Sequence, residues 1–445
     1  MNDHMTNTVH AGRATRTVIR CSLLDTVLAD LTTSVVFFFE RGLDGDRLAE
    51  GLARALRTVP AFGGRLRTHE DTLEIVCEDA GVPMTTLLAG ETLAEAVGRL
   101  RMPVAHYVDH IDAPKARLGG LPLLTVRVSR LADGATALGC SWHHAVGDMQ
   151  SFVLLMQAWS AAVEGTTPPQ AQLLEDPDAY LDGLLPARDS GRPGFRLLDP
   201  GEAGSRDRDV EAAVRGTRVI QAYFGSDEVR RMRDEFSATA GRRLSANDVL
   251  CAHVLTTLRH LGQDTQAGRL AMPVNIRRYL EIPPSVVGNL VGEVYLSCAP
   301  GAGTAAVATQ IRAGVEDFTR SHLSMRTSHA FLETAGRSRL RDCVPLGFDL
   351  TNRTFTFTSW CGFGLYDITF EGQRPLLFSP VFNFQLPWNA VLVEGFGRAG
   401  HFLAGAVPAR IAGLLRSPDG QAELHRFRQP TDSLPSLASE VRNLA

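Results

Sequence analysis

The residues best equipped for chemistry lie in one short stretch, Ser141-Trp142-His143-His144-Ala145-Val146-Gly147-Asp148. Imidazole titrates near neutral pH, so a positioned histidine can take the proton from an attacking hydroxyl or amine. The carboxylate four residues beyond His144 could orient that ring, as in a triad, or hold a turn through an ion pair elsewhere. The same letters also fit a partly buried histidine pair closing a hairpin, and H-x-x-x-D alone does not choose between them. Cys140 stands close by and could carry an acyl group, yet on a strand it could as easily face a core. No Gly-x-Ser-x-Gly elbow or P-loop is present. His106, His110 and Asp112 have a metal-like spacing but sit in a charged connector without a strong third partner, so a solvated loop and no metal are expected. Ser245 precedes a helical pattern, which makes it an N-cap.

The elements that position this stretch follow from apolar periodicity. Leu123–Val128 and Thr136–Trp142 flank Asp133-Gly134 and read as an antiparallel hairpin running into His143. Phe152, Leu155, Met156, Trp159 and Val163 then have helical spacing. Upstream, Ser34–Phe39 reads as a buried strand, Leu48, Leu52 and Leu56 as a helix capped by Asp46, and Leu73–Cys77 as another strand. Residues 166–216 are rich in Pro, Gly, Asp and Arg with few apolar periods, which predicts a long surface crossover. Beyond it come a strand near Val219–Phe224, helices from Ser226 and over Ala246–Leu261, and strands at Val291–Leu296, Phe355–Thr358, Leu376–Phe378 and Ala390–Phe396. Each half mixes helices with strands. The expectation is two α/β sandwich domains, residues 1–165 and 217–445, joined by the linker 166–216.

The bulk composition narrows the function classes. A chain of 445 residues exceeds one ordinary core, and 44% hydrophobic with 21% charged residues is a folded composition. A net charge of -4 offers no basic stripe for nucleic acid and no polybasic arm for a membrane. Seven scattered cysteines without C-x-x-C fit reduced thiols, and neither an apolar signal region nor a run of 18 apolar residues is seen; the expected location is the cytoplasm. Lys115 is the only lysine among 45 basic residues, which reads as a GC-rich bacterial genome. A ligand phosphate would therefore be met by arginine, backbone N–H groups or hydroxyls.

Motif order along the chain resembles the BAHD acyltransferases, an acyl-CoA-dependent family of the chloramphenicol acetyltransferase-like fold. His144-Ala145-Val146-Gly147-Asp148 matches the family's H-x-x-x-D, with Met149 in place of the following glycine. Leu23-Leu24-Asp25 looks like its L-S-x-x-D opening, and Pro60 to Leu66 like its P-x-x-G-R-L turn. Val274-Asn275-Ile276-Arg277, Pro283-Pro284 and Gly288-Asn289 resemble its V-D-x-R, P-P and G-N block. Thr358-Ser359-Trp360 precedes Leu365 to Pro375, where the family carries L-Y-E-V-D-F-G-W-G-K-P. The D-F-G-W-G motif itself here reads Thr369-Phe370-Glu371-Gly372-Gln373, which fits a divergent bacterial member.

The resemblance implies two chloramphenicol acetyltransferase-like domains with His144 at their interface, in a channel open on both sides. It implies transfer from acyl-CoA to a hydroxyl or amine of a small secondary metabolite, with His144 as general base and no acyl-enzyme. Thr358 and Trp360 become the oxyanion candidates. Asp148 becomes a structural support paired with Arg277 or Arg278. Ser245 and Arg277 are the coenzyme-binding candidates. Acyl-CoA is expected as co-substrate with no tightly bound cofactor, and the chain as a monomer. Two alternatives are a condensation-type enzyme with a carrier-bound donor, whose H-H-x-x-x-D-G lacks its glycine here, and a non-catalytic binding protein on the same fold.

Overall fold

The computed structural model describes residues 5–14, 17–100, 107–186, 191–262, 268–318, 323–382 and 386–442. Two six-stranded mixed sheets dominate it. The first runs in the order β1 (Met5–Val9), β6 (Val82–Leu88), β7 (Leu124–Arg130), β8 (Thr136–His143), β3 (Thr32–Phe39) and β15 (Leu377–Pro380). The second runs β10 (Thr217–Phe224), β17 (His401–Pro408), β16 (Asn389–Glu394), β14 (Thr354–Ser359), β11 (Arg269–Asn275) and β12 (Val291–Ser297). Smaller sheets join β2 (Thr17–Arg20), β5 (Thr72–Cys77) and β4 (Arg65–His69), and β13 (Cys343–Pro345) with β9 (Phe195–Leu197).

Each large sheet covers its own apolar core. In the first, Val35 to Phe39 of β3 are wholly buried, and helices Gly45–Thr58 and Met149–Glu164 pack on the sheet through Leu52, Leu56, Phe152 and Trp159. The N-cap of the earlier helix is Asp44, not Asp46: its Oδ1 accepts from the N–H groups of Asp46 (2.8 Å) and Arg47 (3.2 Å). In the second, helices Ser226–Ala240, Ala246–Gly262 and Thr304–Glu316 contribute Met232, Leu250, Val254 and Ile311. The β7–β8 hairpin forms in register, Leu124 opposite Trp142, and so delivers His143 and His144 at the strand end.

Two expectations about organisation change. The crossover 166–216 holds helices Pro177–Leu184 and Pro200–Arg215 as well as β9. Both start at Asp-Pro, with Asp176 and Asp199 as N-caps and proline at the first helical position. The second of these buries no residue, so it has no apolar stripe to read. The boundary at residue 217 also fails in one place: β15 leaves the second half and pairs antiparallel with β3, Leu377 opposite Phe38. Ala438 and Val441 likewise enter the first core.

Candidate active site

β8 ends at His143, one 3-10 turn spans His144–Val146, and Asp148 caps helix Met149–Glu164 by accepting from the Ser151 N–H at 3.0 Å. Gly147 has φ +155°, and a Cβ there would stand 2.5 Å from Ser151 Oγ, so the turn requires glycine. Trp142 steadies the turn: its Nε1 donates to Gly147 O at 3.1 Å and its ring stacks on Phe152 at 4.1 Å.

The two histidines separate cleanly. His143 is fully buried; its Nδ1 accepts from the Ala145 N–H (3.2 Å), which leaves Nε2 to donate to Ala113 O (3.3 Å). Burial pulls its pKa down to about 4, so it is a neutral strut. His144 lines a cavity of about 760 Å³ between the two sheets. Its Nδ1 is buried without a hydrogen-bond partner among the described residues, and Nε2 is the ring nitrogen left open to the cavity. Burial lowers its pKa below the usual imidazole value, opposed by its own carbonyl, the Asp148 charge and Asn289. The result is a neutral imidazole with a free nitrogen.

Asp148 does not bond His144. Arg277 Nη1 donates to Asp148 Oδ2 at 2.6 Å and Nη2 to Oδ1 at 3.2 Å, with both groups buried. The remaining donors of Arg277 reach Val286 O (2.9 Å) and Gly288 O (3.2 Å), and the Leu290 N–H donates to Asp148 Oδ2 (3.1 Å). Every lone pair and proton of the ion pair is thus matched, the condition under which a buried pair holds. Arg277 is therefore removed from the coenzyme-binding candidates, because its guanidinium is enclosed and does not line the cavity. Arg278 does line it and is exposed.

The His144 turn is also held from behind. Asn289 Nδ2 donates to His144 O and to Asp25 Oδ1, both at 2.7 Å. Burial pushes the Asp25 carboxyl up to about 6, with Asn289 and Ser22 opposing. Sequence reading gave neither residue a role. The only signals were the Leu23-Leu24-Asp25 and Gly288-Asn289 motifs, because partners 264 residues apart leave no local pattern.

Thr358 and Trp360 line the cavity at the end of β14, as does Ser245, whose Oγ accepts from the Asp248 N–H (3.2 Å) at the start of helix Ala246–Gly262. Cys140 is not in the lining; it faces the first core, and burial drives its thiol pKa up. His106 lies outside the described residues. Asp112 caps the short helix Ala113–Arg117, and no group of three metal-ligating side chains occurs among the described residues. The Thr369–Gln373 segment lies off the cavity, with Phe370 buried edge-on against Phe39 and Trp159.

Comparison with known proteins agrees with this geometry. The model of the Transferase family matches residues 6–394. Putrescine hydroxycinnamoyltransferase of Oryza sativa subsp. japonica is 24% identical over 386 residues, covering 81% of this chain and 84% of the relative. Among solved structures, vinorine synthase superposes with a TM-score of 0.67 at 17% identity, covering 95% of this chain and 98% of the other. An F. sporotrichioides protein solved with coenzyme A and T-2 gives 0.72 at 13% identity, over 91% and 98%. Two like sheets around one histidine-bearing cavity, matched along most of the chain, place this protein in the Transferase family, among its BAHD-type acyltransferases.

Proposed function

We propose that the chain moves an acyl group from acyl-CoA to a hydroxyl or amine of a small acceptor, with His144 as general base and no acyl-enzyme. The observation that carries this reading is the neutral His144 ring, its Nε2 open to a cavity lined from both halves. A proton kept on Nδ1, beside the residue's own carbonyl, leaves the Nε2 lone pair to take the acceptor's proton. The acceptor oxygen or nitrogen then bonds to the thioester carbon. As the tetrahedral intermediate collapses, the carbon–sulfur bond breaks and the proton passes from Nε2 to the coenzyme thiolate.

Thr358 Oγ1 and Trp360 Nε1 are the donors available for the oxyanion, worth about 3–4 kcal/mol per well-aimed donor. The buried Cys140 supports direct transfer. Ser245 and the exposed Arg278 are suited to the coenzyme. The test is thiol release from a panel of acyl-CoAs. His144→Ala should fold normally and lose roughly 10²–10⁴-fold in rate; near wild-type turnover by that variant overturns the assignment.

A further inference from the structure

The cavity wall beside Asp148 carries a side-chain amide of which the fold uses only one end. Asn275 closes β11 and caps the 3-10 turn Ile276–Arg278: its Oδ1 accepts from the Arg277 N–H (3.1 Å) and from Arg277 Nη1 (3.2 Å). A backbone N–H and a guanidinium can only donate, so the atom they share is the oxygen, and the other end of the amide is the NH2 group. Among the described residues that nitrogen has no hydrogen-bond partner, and it is not enclosed; Asn275 lines the cavity. Asn289 is the contrast, its amide nitrogen spent on His144 O and Asp25. Capping does not account for an amide at position 275, since aspartate or serine caps a turn as well. The V-D-x-R motif that this segment resembles carries aspartate there, and a carboxylate could only accept where Asn275 donates.

The amide lies close to the reacting centre. Arg277 Nη1, which reaches Asn275, also donates to Asp148 Oδ2 at 2.6 Å, so one nitrogen separates the amide from the corner that ends the His144 turn. Across the sheet Asn275 is paired with Val291, two residues beyond the Asn289 that holds His144 O. β11 and β14 run parallel, Ala271 beside Thr356, so Asn275 and the Thr358–Trp360 end of β14 reach the same edge of the second sheet. The guanidinium on its oxygen polarises the amide and strengthens its N–H as a donor. Of the two reactants that meet at His144, the acceptor brings a proton, and the acyl donor brings a carbonyl oxygen with lone pairs only. We propose that Asn275 is a further catalytic residue, whose Nδ2 donates to the thioester carbonyl oxygen and to the oxyanion that forms on it.

This role rests on the acyl-CoA reading above. Acetyl-CoA and S-ethyl-CoA differ only in the carbonyl oxygen. Calorimetry without an acceptor should show the wild type binding acetyl-CoA about 5–10-fold more tightly than S-ethyl-CoA. Asn275→Asp keeps the oxygen for Arg277 and exchanges the donor for an acceptor. It should abolish that preference and lower thiol release roughly 10²-fold or more. The infrared stretch of the bound thioester carbonyl should rise in frequency as the hydrogen bond is lost, which a merely structural change at the turn would not cause. Asn275→Ser, an equally good cap that withdraws the amide, repeats the test should Asn275→Asp lower the denaturant midpoint. A preference unmoved in the variants overturns the proposal. So does an equal weakening of acetyl-CoA and S-ethyl-CoA, which would send the amide to another part of the coenzyme. A wild type that binds both compounds equally removes Asn275 from the reaction and leaves the acyl-CoA reading in place, whereas binding of neither takes down both.

Discussion

Asp148 and Glu293 sit on walls of the same cavity, and their surroundings are opposite. The Asp148 corner is closed: a carboxylate, a guanidinium, two backbone carbonyls and two N–H groups satisfy one another across the two halves of the chain. The Glu293 wall is open: among the described residues its carboxyl has no ion pair or hydrogen bond, and burial pushes its pKa up. A charge that the fold completes is architecture, and one left incomplete is available to a ligand. The corner explains why a motif carboxylate so near His144 makes no bond to its ring.

The sharpest break of this contrast is Asp148→Asn. It keeps an N-cap acceptor but leaves Arg277 buried without its charge, so stability should fall by about 3–5 kcal/mol, read from denaturant midpoints. An unchanged midpoint with a lowered rate would instead make Asp148 an orienter of His144. Next comes Asn289→Ala, which removes the donor shared by His144 O and Asp25. It should cost about 1.5–3 kcal/mol and lower turnover while acyl-CoA binding, followed by calorimetry, holds.

The smallest effect belongs to Glu293→Leu. Replacing a partnerless carboxyl by an apolar group should leave stability near neutral pH within about 1 kcal/mol of wild type, or raise it. The pH profile distinguishes this from an inert surface change. Between the ordinary carboxyl value of 4.5 and about 8, the native protein keeps a proton that the unfolded chain has released. Wild-type stability therefore carries a downward contribution as pH rises through that window, at most about 1.4 kcal/mol per pH unit, and Glu293→Leu should flatten it. An equal slope in both proteins would remove Glu293 from the class of desolvated groups.

What could be read from the sequence followed its periodicity. The β7–β8 hairpin, the buried strand Thr32–Phe39 and the helix over Phe152–Val163 each have a clear apolar pattern, and each formed where the pattern lies. The Pro200–Arg215 helix has no buried face, so only its Asp-Pro start announced it. Within the site, His144 and the Asp148–Arg277 pairing were legible through motif order. The support from Asp25 and Asn289 was not, since it depends on segments that meet only after both halves have folded. Glu293 gave no signal at all: it lies in an ordinary strand, and only the absence of a partner in three dimensions singles it out.

The loan of β15 to the first sheet has a consequence in time. During synthesis, β3, carrying Val35-Val36-Phe37-Phe38-Phe39, emerges long before the strand that covers its free edge. Until β15 is made, that apolar strand has β8 on one side and unpaired N–H and C=O groups on the other. Such an edge recruits other strands, and closing a pairing so distant in sequence is slow. A nascent chain of this design invites chaperone contact until Leu377–Pro380 can pair with Val35–Phe38.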